Sequence, residues 1–430
     1  MGSGTALHRD RLAAHPVQKS FRSGTQRSVP PSQTVERVRP YLAEMGITRV
    51  ADVTGLDRVG IPVTMVCRPN SRSVSVSQGK GLTLDAAKAS GLMESIELFH
   101  AETITLPLKL ATYAELIRDH DVVDVADLPL IAGGRFHPDL QMLWIEGRDL
   151  IADADVWVPF EMVNLSTSRP EMPAGSFISS SNGLASGNHL IEALLHGICE
   201  VVERDATTLW HLRSPDEQQG RRIALDTVQD EGNRRLLEMC ERAGLEVVAW
   251  DISSDVGLAA CQCLIFDRDE ELGRDLYAAL GMGAHLSPEI AFLRALTEAA
   301  QSRLTLIAGA RDDVFREEYD ETALAAQFLG EQRALLRTSP PTRSLRETPS
   351  LASETFNDDL AVVLDRLQSA GVRQVIAVDL TKSRFEIPVA RVVIPGLETF
   401  DKNPDYSPGR RARAFADDQL SRRQPSGHPL

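Results

Sequence analysis

At 430 residues the chain has room for one large domain or two moderate ones, with an ample core in either case, and 43% hydrophobic residues is the content of an ordinary globular protein. A formal net charge of -15 argues against general affinity for nucleic acid or for an anionic membrane surface, so neither is expected as a partner; a local basic pocket is still allowed.

Residues 1 to about 33 are polar with scattered Pro and Ser and predict a flexible start, before a main body over 34–400 and a C-terminal tail over 401–430. A helix is expected from Thr34 to Met45, then strands at Val63–Cys67 and Ser73–Ser77, then a helix over Leu84–Glu102. Residues 103–175 mix loops with short strands, of which Leu143–Glu146 and Asp155–Pro159 are the clearest. A second long helix spans about Leu190–Leu212.

An internal echo follows. Arg234–Cys240, a Gly244 stop, then Leu245–Asp251 and Ala259–Phe266 predict helix, strand, strand. Leu360–Gln368, Gly371, Gln374–Asp379 and Val389–Ile394 repeat that order. Between the copies lies a helix over Pro288–Ala308, and Ser339–Thr355 predicts a linker or mobile loop. The fold class expected is α+β, with a pseudo-symmetric α/β body.

The start Met1-Gly-Ser-Gly-Thr-Ala6 has no basic segment leading into an apolar run, which excludes a signal peptide, and Ala6 breaks the myristoylation pattern. No apolar stretch approaches the roughly 20 residues a membrane span requires. Five cysteines (Cys67, Cys199, Cys240, Cys261 and Cys263) form no Cys-x-x-Cys pair. Cys261 and Cys263 share one face of a strand as small buried hydrophobes rather than half a zinc site, and a reduced, cytoplasmic protein is expected.

The two long helices carry the chemistry. At about 100° per residue, Glu192, His196, Glu200 and Glu203 fall within an arc of about 80°, with Leu194, Leu195, Ile198, Val201 and Val202 opposite. Glu94 and Glu97 likewise cluster with Ser90, away from Leu92, Met93, Ile96 and Phe99. A solvated acidic face is the simplest alternative. Against it, the first face carries no Lys or Arg at i+3 or i+4 to relieve repulsion, the second has only Arg204 so placed after Glu200, and the pattern occurs twice. Each helix also follows a Gly-rich loop, Gln78-Gly-Lys-Gly81 or Ser181-Asn-Gly-Leu-Ala-Ser-Gly-Asn188, where backbone N–H groups would favour anions. Facing carboxylates that hold a divalent metal beside a phosphate fit these features best. Gly79-Lys80-Gly81 is no P-loop, since Val74 stands where the first glycine belongs and Gly81 where Ser or Thr would. Six lysines against forty arginines make Lys80 an unusual choice for an incidental loop residue.

The set Gly79-Lys80-Gly81, Ser90-xxx-Glu94-xx-Glu97, Asn188-xxx-Glu192 and His196-Gly-Ile-Cys-Glu200-Val-Val-Glu203-Arg204-Asp205-Ala206 resembles the YcaO family, ATP-dependent enzymes that modify peptide backbone amides. The resemblance covers about 35 to 400, with the core motifs in 63–310. Met45–Pro62 followed by Arg68–Ser73 looks like the subgroup that works beside a TfuA-like partner. By resemblance, Glu94, Glu97, Glu200 and Glu203 would bind Mg²⁺, and Lys80, Ser90, Asn188, Glu192 and Arg204 would contact ATP at the seam between the acidic helices. Glu298 and Gln301 share a face of the helix that family members use to line the nucleotide pocket. Leu98 stands where many members carry Arg, which leaves Arg204 as the arginine of that type.

Amides are poor electrophiles because resonance ties up the carbonyl. Family members are thought to phosphorylate the oxyanion left by a nucleophile's addition. External sulfide then gives a thioamide, and a neighbouring Cys, Ser or Thr gives an azoline. The ending Pro425-Ser-Gly-His-Pro429-Leu430 lacks the Pro-x-Pro-x-Pro of azoline-forming members, so thioamidation of a ribosomally made peptide, with sulfide from a TfuA-like partner, is the expectation. A cyclodehydratase and a non-catalytic nucleotide- or partner-binding protein are the alternatives. The catalytic base, the peptide and any homodimer are left open.

Overall fold

A computed structural model describes residues 15–167, 175–268, 278–311, 340–399 and 405–423, the side chains of 422 and 423 excepted. Its strands are β1 (Arg49–Asp52), β2 (Val63–Cys67), β3 (Val76–Lys80), β4 (Leu108–Ala111), β5 (Met142–Asp149), β6 (Ala154–Pro159), β7 (Leu184–Ser186), β8 (Leu245–Asp251), β9 (Ala259–Asp267), β10 (Ala278–His285), β11 (Ile376–Asp379) and β12 (Val389–Val393). The principal helices are α1 (Pro31–Val38), α2 (Leu84–Glu102), α3 (Leu190–His211), α4 (Glu231–Arg242), α5 (Pro288–Ala308), α6 (Phe356–Ser369) and α7 (Arg410–Arg423).

The strands form three antiparallel groups: β1-β2-β3, β10-β9-β8, and a larger sheet ordered β4-β5-β11-β12-β7 with β6 on β5. Helices α2 and α5 pack on β3 and β10 respectively, and α3 packs on β12 and β7. This is the expected α+β architecture. Both copies of the helix–strand–strand echo are present: α4 precedes the β8–β9 pair and α6 precedes the β11–β12 pair. Gly244 and Gly371 close the two helices in the left-handed conformation, with φ of 69° and 86°.

Glycine sets how closely helix and strand approach. A methyl group added at Gly79 of β3 would drive into the Ala87 carbonyl oxygen and the Gly91 nitrogen of α2. One added at Gly281 of β10 would meet the Ala295 carbonyl oxygen and the Ala299 nitrogen of α5. At the corresponding place on α3, Gly197 lies against Gly183 and Val392. Contact this close is available only where no Cβ intervenes.

Several expectations need correction. The strand expected at Ser73–Ser77 lies at Val76–Lys80, so Gln78-Gly-Lys80 is sheet rather than loop. The helix expected over Thr34–Met45 starts at Pro31 and gives way to a 3₁₀ turn at Arg39–Tyr41, where Pro40 interrupts the α-helical bonding. Residues 15–33 are not a flexible lead: Lys19 forms a buried ion pair with Asp359, and the Ser28 N–H donates to Glu192 Oε1. The supposed linker is docked over 340–355, where the Ala224 N–H donates to the Arg343 carbonyl at 2.8 Å and the Leu351 N–H to the Leu286 carbonyl at 2.8 Å. Ser339 lies outside the described residues. Within the tail, α7 is fastened by Arg411 to Asp205 at 2.8 Å, while Pro425–Leu430 is outside the described residues.

Candidate nucleotide and metal site

A cavity of about 1680 Å³ is lined by α2, α3 and α5, by β3 and by residues from the N-terminal segment. Three helices present the same register to it. Each has a small residue pressed on a strand or turn (Gly91, Gly197, Ala295), then acceptor side chains three and six residues on: Glu94 and Glu97, Glu200 and Glu203, Glu298 and Gln301. All six line the cavity, as do Lys80, Ser90, Asn188 and Arg204. Spacings of three and six keep these groups on the helix face that holds the small contact residue, so close packing carries them inward together.

The carboxyls are short of countercharge. Burial pushes Glu94 up to about 7, against the pull of Arg311 and Lys80. Glu97 rises to about 8, chiefly through burial and further through Glu94 and Glu200, although the Ser186 hydroxyl donates to it at 2.6 Å. Glu200 rises to about 7 through burial, opposed by Arg204 and reinforced by Glu203. Such a set accommodates a hard divalent cation, which neutralises charge that burial has made costly. Among the described residues no group of three or more His, Cys, Asp or Glu side chains closes on one point. Mg²⁺ is commonly held by one or two carboxylates, with water and substrate phosphate oxygens completing its shell. Glu94, Glu97, Glu200 and Glu203 are the side chains from which such an ion would draw its ligands, and when bound it would offset triphosphate charge.

Two of the acids carry more structural duty than a solvated face would. Glu203 is 1% exposed, and its Oε2 accepts the Ala284 N–H of β10 at 2.9 Å. Glu192 is also 1% exposed and does not line the cavity. Its oxygens accept the backbone N–H groups of Ser28 and of Asn188, the latter at 2.6 Å. The structure thus separates Glu192 from the other expected nucleotide contacts.

The helix starts are capped from within the chain. The Thr83 hydroxyl accepts the Ala86 N–H of α2, and His189 Nδ1 accepts the Ile191 N–H of α3. Each cap satisfies one N–H group of its helix start, and the cationic side chains of the cavity add positive potential of their own. Lys80 Nζ sits 2.6 Å from Glu298 Oε2, and the Glu298 Oε1 accepts the Met282 N–H at 3.1 Å. Burial alone would raise Glu298, but Lys80 and Arg204 outweigh it and hold its carboxyl below the usual range. Gln301 reaches Gln78 of β3 at 3.5 Å.

Four cavity groups had no assigned role in the sequence reading: Arg27, His196, Arg294 and Arg311. Burial, then Arg294, holds the His196 imidazole well below its usual range, so it is neutral, with Arg294 Nη1 3.4 Å from Nδ1. The signal that could have found Arg294 is the shared register, in which Ser90, His196 and Arg294 each stand one residue before the small contact residue. Arg391 of β12 was also missed. It is 2% exposed, its Nε and Nη1 have no hydrogen-bond partner, and burial lowers its guanidinium to about 10, with Glu200 countering.

The cysteines are free. Among the described residues no helix is long and apolar enough to cross a membrane.

Residues 78–398 match the family described as "YcaO cyclodehydratase, ATP-ad Mg2+-binding". The chain is 36% identical over 392 residues to an uncharacterized protein of Methanothermobacter thermautotrophicus, covering 90% of this chain and 98% of that one. It is 37% identical over 384 residues to an uncharacterized protein in the tfuA 3' region of Rhizobium leguminosarum bv. trifolii, covering 86% and 88%. Among solved structures, the fold is similar to YcaO from Methanopyrus kandleri bound with AMPPCP and Mg²⁺, with a TM-score of 0.70 and 23% identity over 91% of this chain and 98% of that one. It is also similar to a heterocyclase in complex with substrate and cofactor, with a TM-score of 0.75 and 22% identity over 97% of this chain and 59% of that one. A family match that spans most of the chain and contains all three cavity-lining helices makes this protein a member of the YcaO family of ATP- and Mg²⁺-dependent peptide-modifying enzymes.

Proposed function

We propose that the protein activates a backbone amide of a ribosomally made peptide at the expense of ATP and replaces the carbonyl oxygen with sulfur. Lys80, Ser90, Asn188 and Arg204 bind the nucleotide, Glu298 and Gln301 shape its pocket, and Glu94, Glu97, Glu200 and Glu203 hold Mg²⁺. The observation that carries this reading is the common register of three helices, which brings acids and cations into one cavity. Ligand pockets commonly enclose about 300–1,000 Å³. A volume of about 1680 Å³ leaves space for a peptide segment beside a nucleotide.

Sulfur transfer is favoured over ring closure by the relative encoded in a tfuA 3' region, and a TfuA-like protein is the sulfide-delivering partner in this reading. Free, largely buried cysteines suit a cytoplasmic setting. The alternative is azoline formation, favoured by the likeness in fold to a heterocyclase and by the family description.

Intact-mass analysis separates them after incubation with peptide, ATP, Mg²⁺, sulfide and the TfuA-like protein. Exchange of oxygen for sulfur in the amide adds about 16 Da, whereas cyclisation removes about 18 Da as water. A water-loss product would replace the proposal with the cyclising one.

A further inference from the structure

Residues 15–30 form a strap along the body, fastened at both ends. At its start, the Val17 N–H donates to Asn357 Oδ1 at 2.8 Å and the Phe356 N–H to the Val17 carbonyl at 3.0 Å. Lys19 adds a buried ion pair to Asp359. At its end, the Ser28 N–H is held by Glu192 Oε1. Between these anchors, Phe21 and Arg27 exchange both backbone hydrogen bonds at 2.9 Å, which makes 21–27 a small hairpin with Gly24 at its tip (φ 68°). The tip rests against Leu82 and Leu293, beside the starts of α2 and α5.

This hairpin carries a cation into the cavity. Arg27 lines it, and among the described residues its guanidinium has no carboxylate partner. It lies close enough to His196 and His285 to disfavour their protonation, in company with Arg294. Two arginines converging on neutral imidazoles, beside an acid set suited to Mg²⁺ (Arg294 Nη2 lies 3.9 Å from Glu203 Oε2), make a site of two parts. One part demands a cation and the other an anion. A polyphosphate chelating Mg²⁺ satisfies both at once, and a guanidinium fork matches phosphate oxygens in pairs.

We infer that Arg27 binds the polyphosphate of the nucleoside triphosphate, and that Glu192 is the positioning residue that clamps the strap so that Arg27 reaches it. The inference rests on the proposed nucleotide site. Glu192 thereby acts on the nucleotide through the Ser28 backbone rather than by touching it. The clamp also explains why a carboxylate 1% exposed accepts one N–H from its own helix start and another 164 residues away.

Binding of Mg²⁺·AMPPCP to the full chain tests this without requiring turnover. Arg27→Ala should weaken binding about tenfold or more, the loss of a charge-assisted contact, with Arg27→Lys recovering only part. Arg27→Gln carries the same test if the alanine variant does not fold. Glu192→Ala should weaken binding similarly, and the Arg27→Ala/Glu192→Ala pair should be no weaker than the weaker single variant, because both remove one contact. A purely structural Glu192 would not produce that non-additivity; losses that multiply would overturn the positioning role. Unchanged binding in the Arg27 variants, with binding lost in Lys80→Ala and Glu94→Gln, would overturn the inference and leave the nucleotide site standing. Unchanged binding in all of them would remove the site itself. A rise in peptide KM without loss of nucleotide affinity would assign Arg27 to the peptide instead.

Discussion

Lys80 at the end of β3 and Glu298 in the middle of α5 form an ion pair at 2.6 Å, each side chain about one-fifth exposed inside the cavity. Partly solvated pairs contribute little to stability, typically about 0–1 kcal/mol. Lys80→Ala should therefore leave the melting temperature nearly unchanged while weakening ATP binding about tenfold, the scale of one charge-assisted contact. Lys80→Arg should not restore affinity, since a planar fork replaces a compact charge. Unaltered ATP affinity in the alanine variant would reduce Lys80 to a partner of Glu298 alone.

Glu94→Gln and Glu203→Gln should each abolish Mg²⁺-dependent ATP turnover, because an amide is a poor ligand for a hard cation. The two positions differ in what truncation does. Glu203 accepts the Ala284 N–H in a buried setting, and glutamine can keep that bond. Glu203→Ala leaves the N–H unpaired and should lower stability by about 1–3 kcal/mol relative to Glu203→Gln. Chemical denaturation measures that difference independently of activity, and full turnover in either glutamine variant would remove that residue from the metal set.

The raised carboxyls fix the sign of a pH effect. Glu94, Glu97 and Glu200, near 7, 8 and 7, hold protons in the folded protein that the unfolded chain releases near 4.5. The folded state then binds more protons, and the contribution of these groups to stability falls as pH rises. Buried neutral histidines such as His285, held near 3 by burial, act in the opposite sense only below about 6.5. Between about pH 6.5 and 8 the glutamates therefore decide: the metal-free protein should lose stability across that window. Added Mg²⁺ should raise the melting temperature more at pH 8 than at pH 6.5, since it binds the deprotonated form. An equal Mg²⁺ effect at both values would contradict the assignment of these three acids as ligands.

Gly79→Ala and Gly281→Ala should each cost about 3 kcal/mol or more, because the new methyl group meets backbone of the facing helix, which cannot rotate aside. Gly55 is the control. An added Cβ there has no heavy atom within 4 Å, and its backbone is not left-handed. Gly55→Ala should be neutral or stabilise by about 0.4–1 kcal/mol through the unfolded chain. Denaturant midpoints of the three variants check the contrast, and a mild effect at Gly79 would show that β3 and α2 can separate without penalty.

Elements whose signal is local were legible in the sequence. Helices at Leu84–Glu102 and Pro288–Ala308 and the strand at Val63–Cys67 coincide with their expected limits, each defined by periodicity and flanking turn residues. The strand at Val76–Lys80 was displaced because Gly79 and Gly81 read as loop punctuation. Their actual role is to let β3 touch α2, a fact that depends on Gly91. Glu94, Glu97, Glu200 and Glu203 were singled out by helical spacing, and all four line the cavity. Arg27 and Arg391 had no such pattern. Their positions depend on a hairpin anchored hundreds of residues away and on a strand register, neither of which a local window contains.

The pairing of Lys19 with Asp359 spans 340 positions of the chain. As the protein emerges from the ribosome, the strap is therefore made well before its buried partner. Synthesis proceeds at about 5–20 residues per second, so Lys19 waits roughly 17–70 seconds before Asp359 is available to it. Both acid helices are made within that interval, before the Lys19 end of the strap can be fastened. The Lys19 anchor is thus tied to synthesis of α6, and a fragment truncated before α6 would carry most of the expected motifs and the Glu192 clamp but would lack that anchor of the strap.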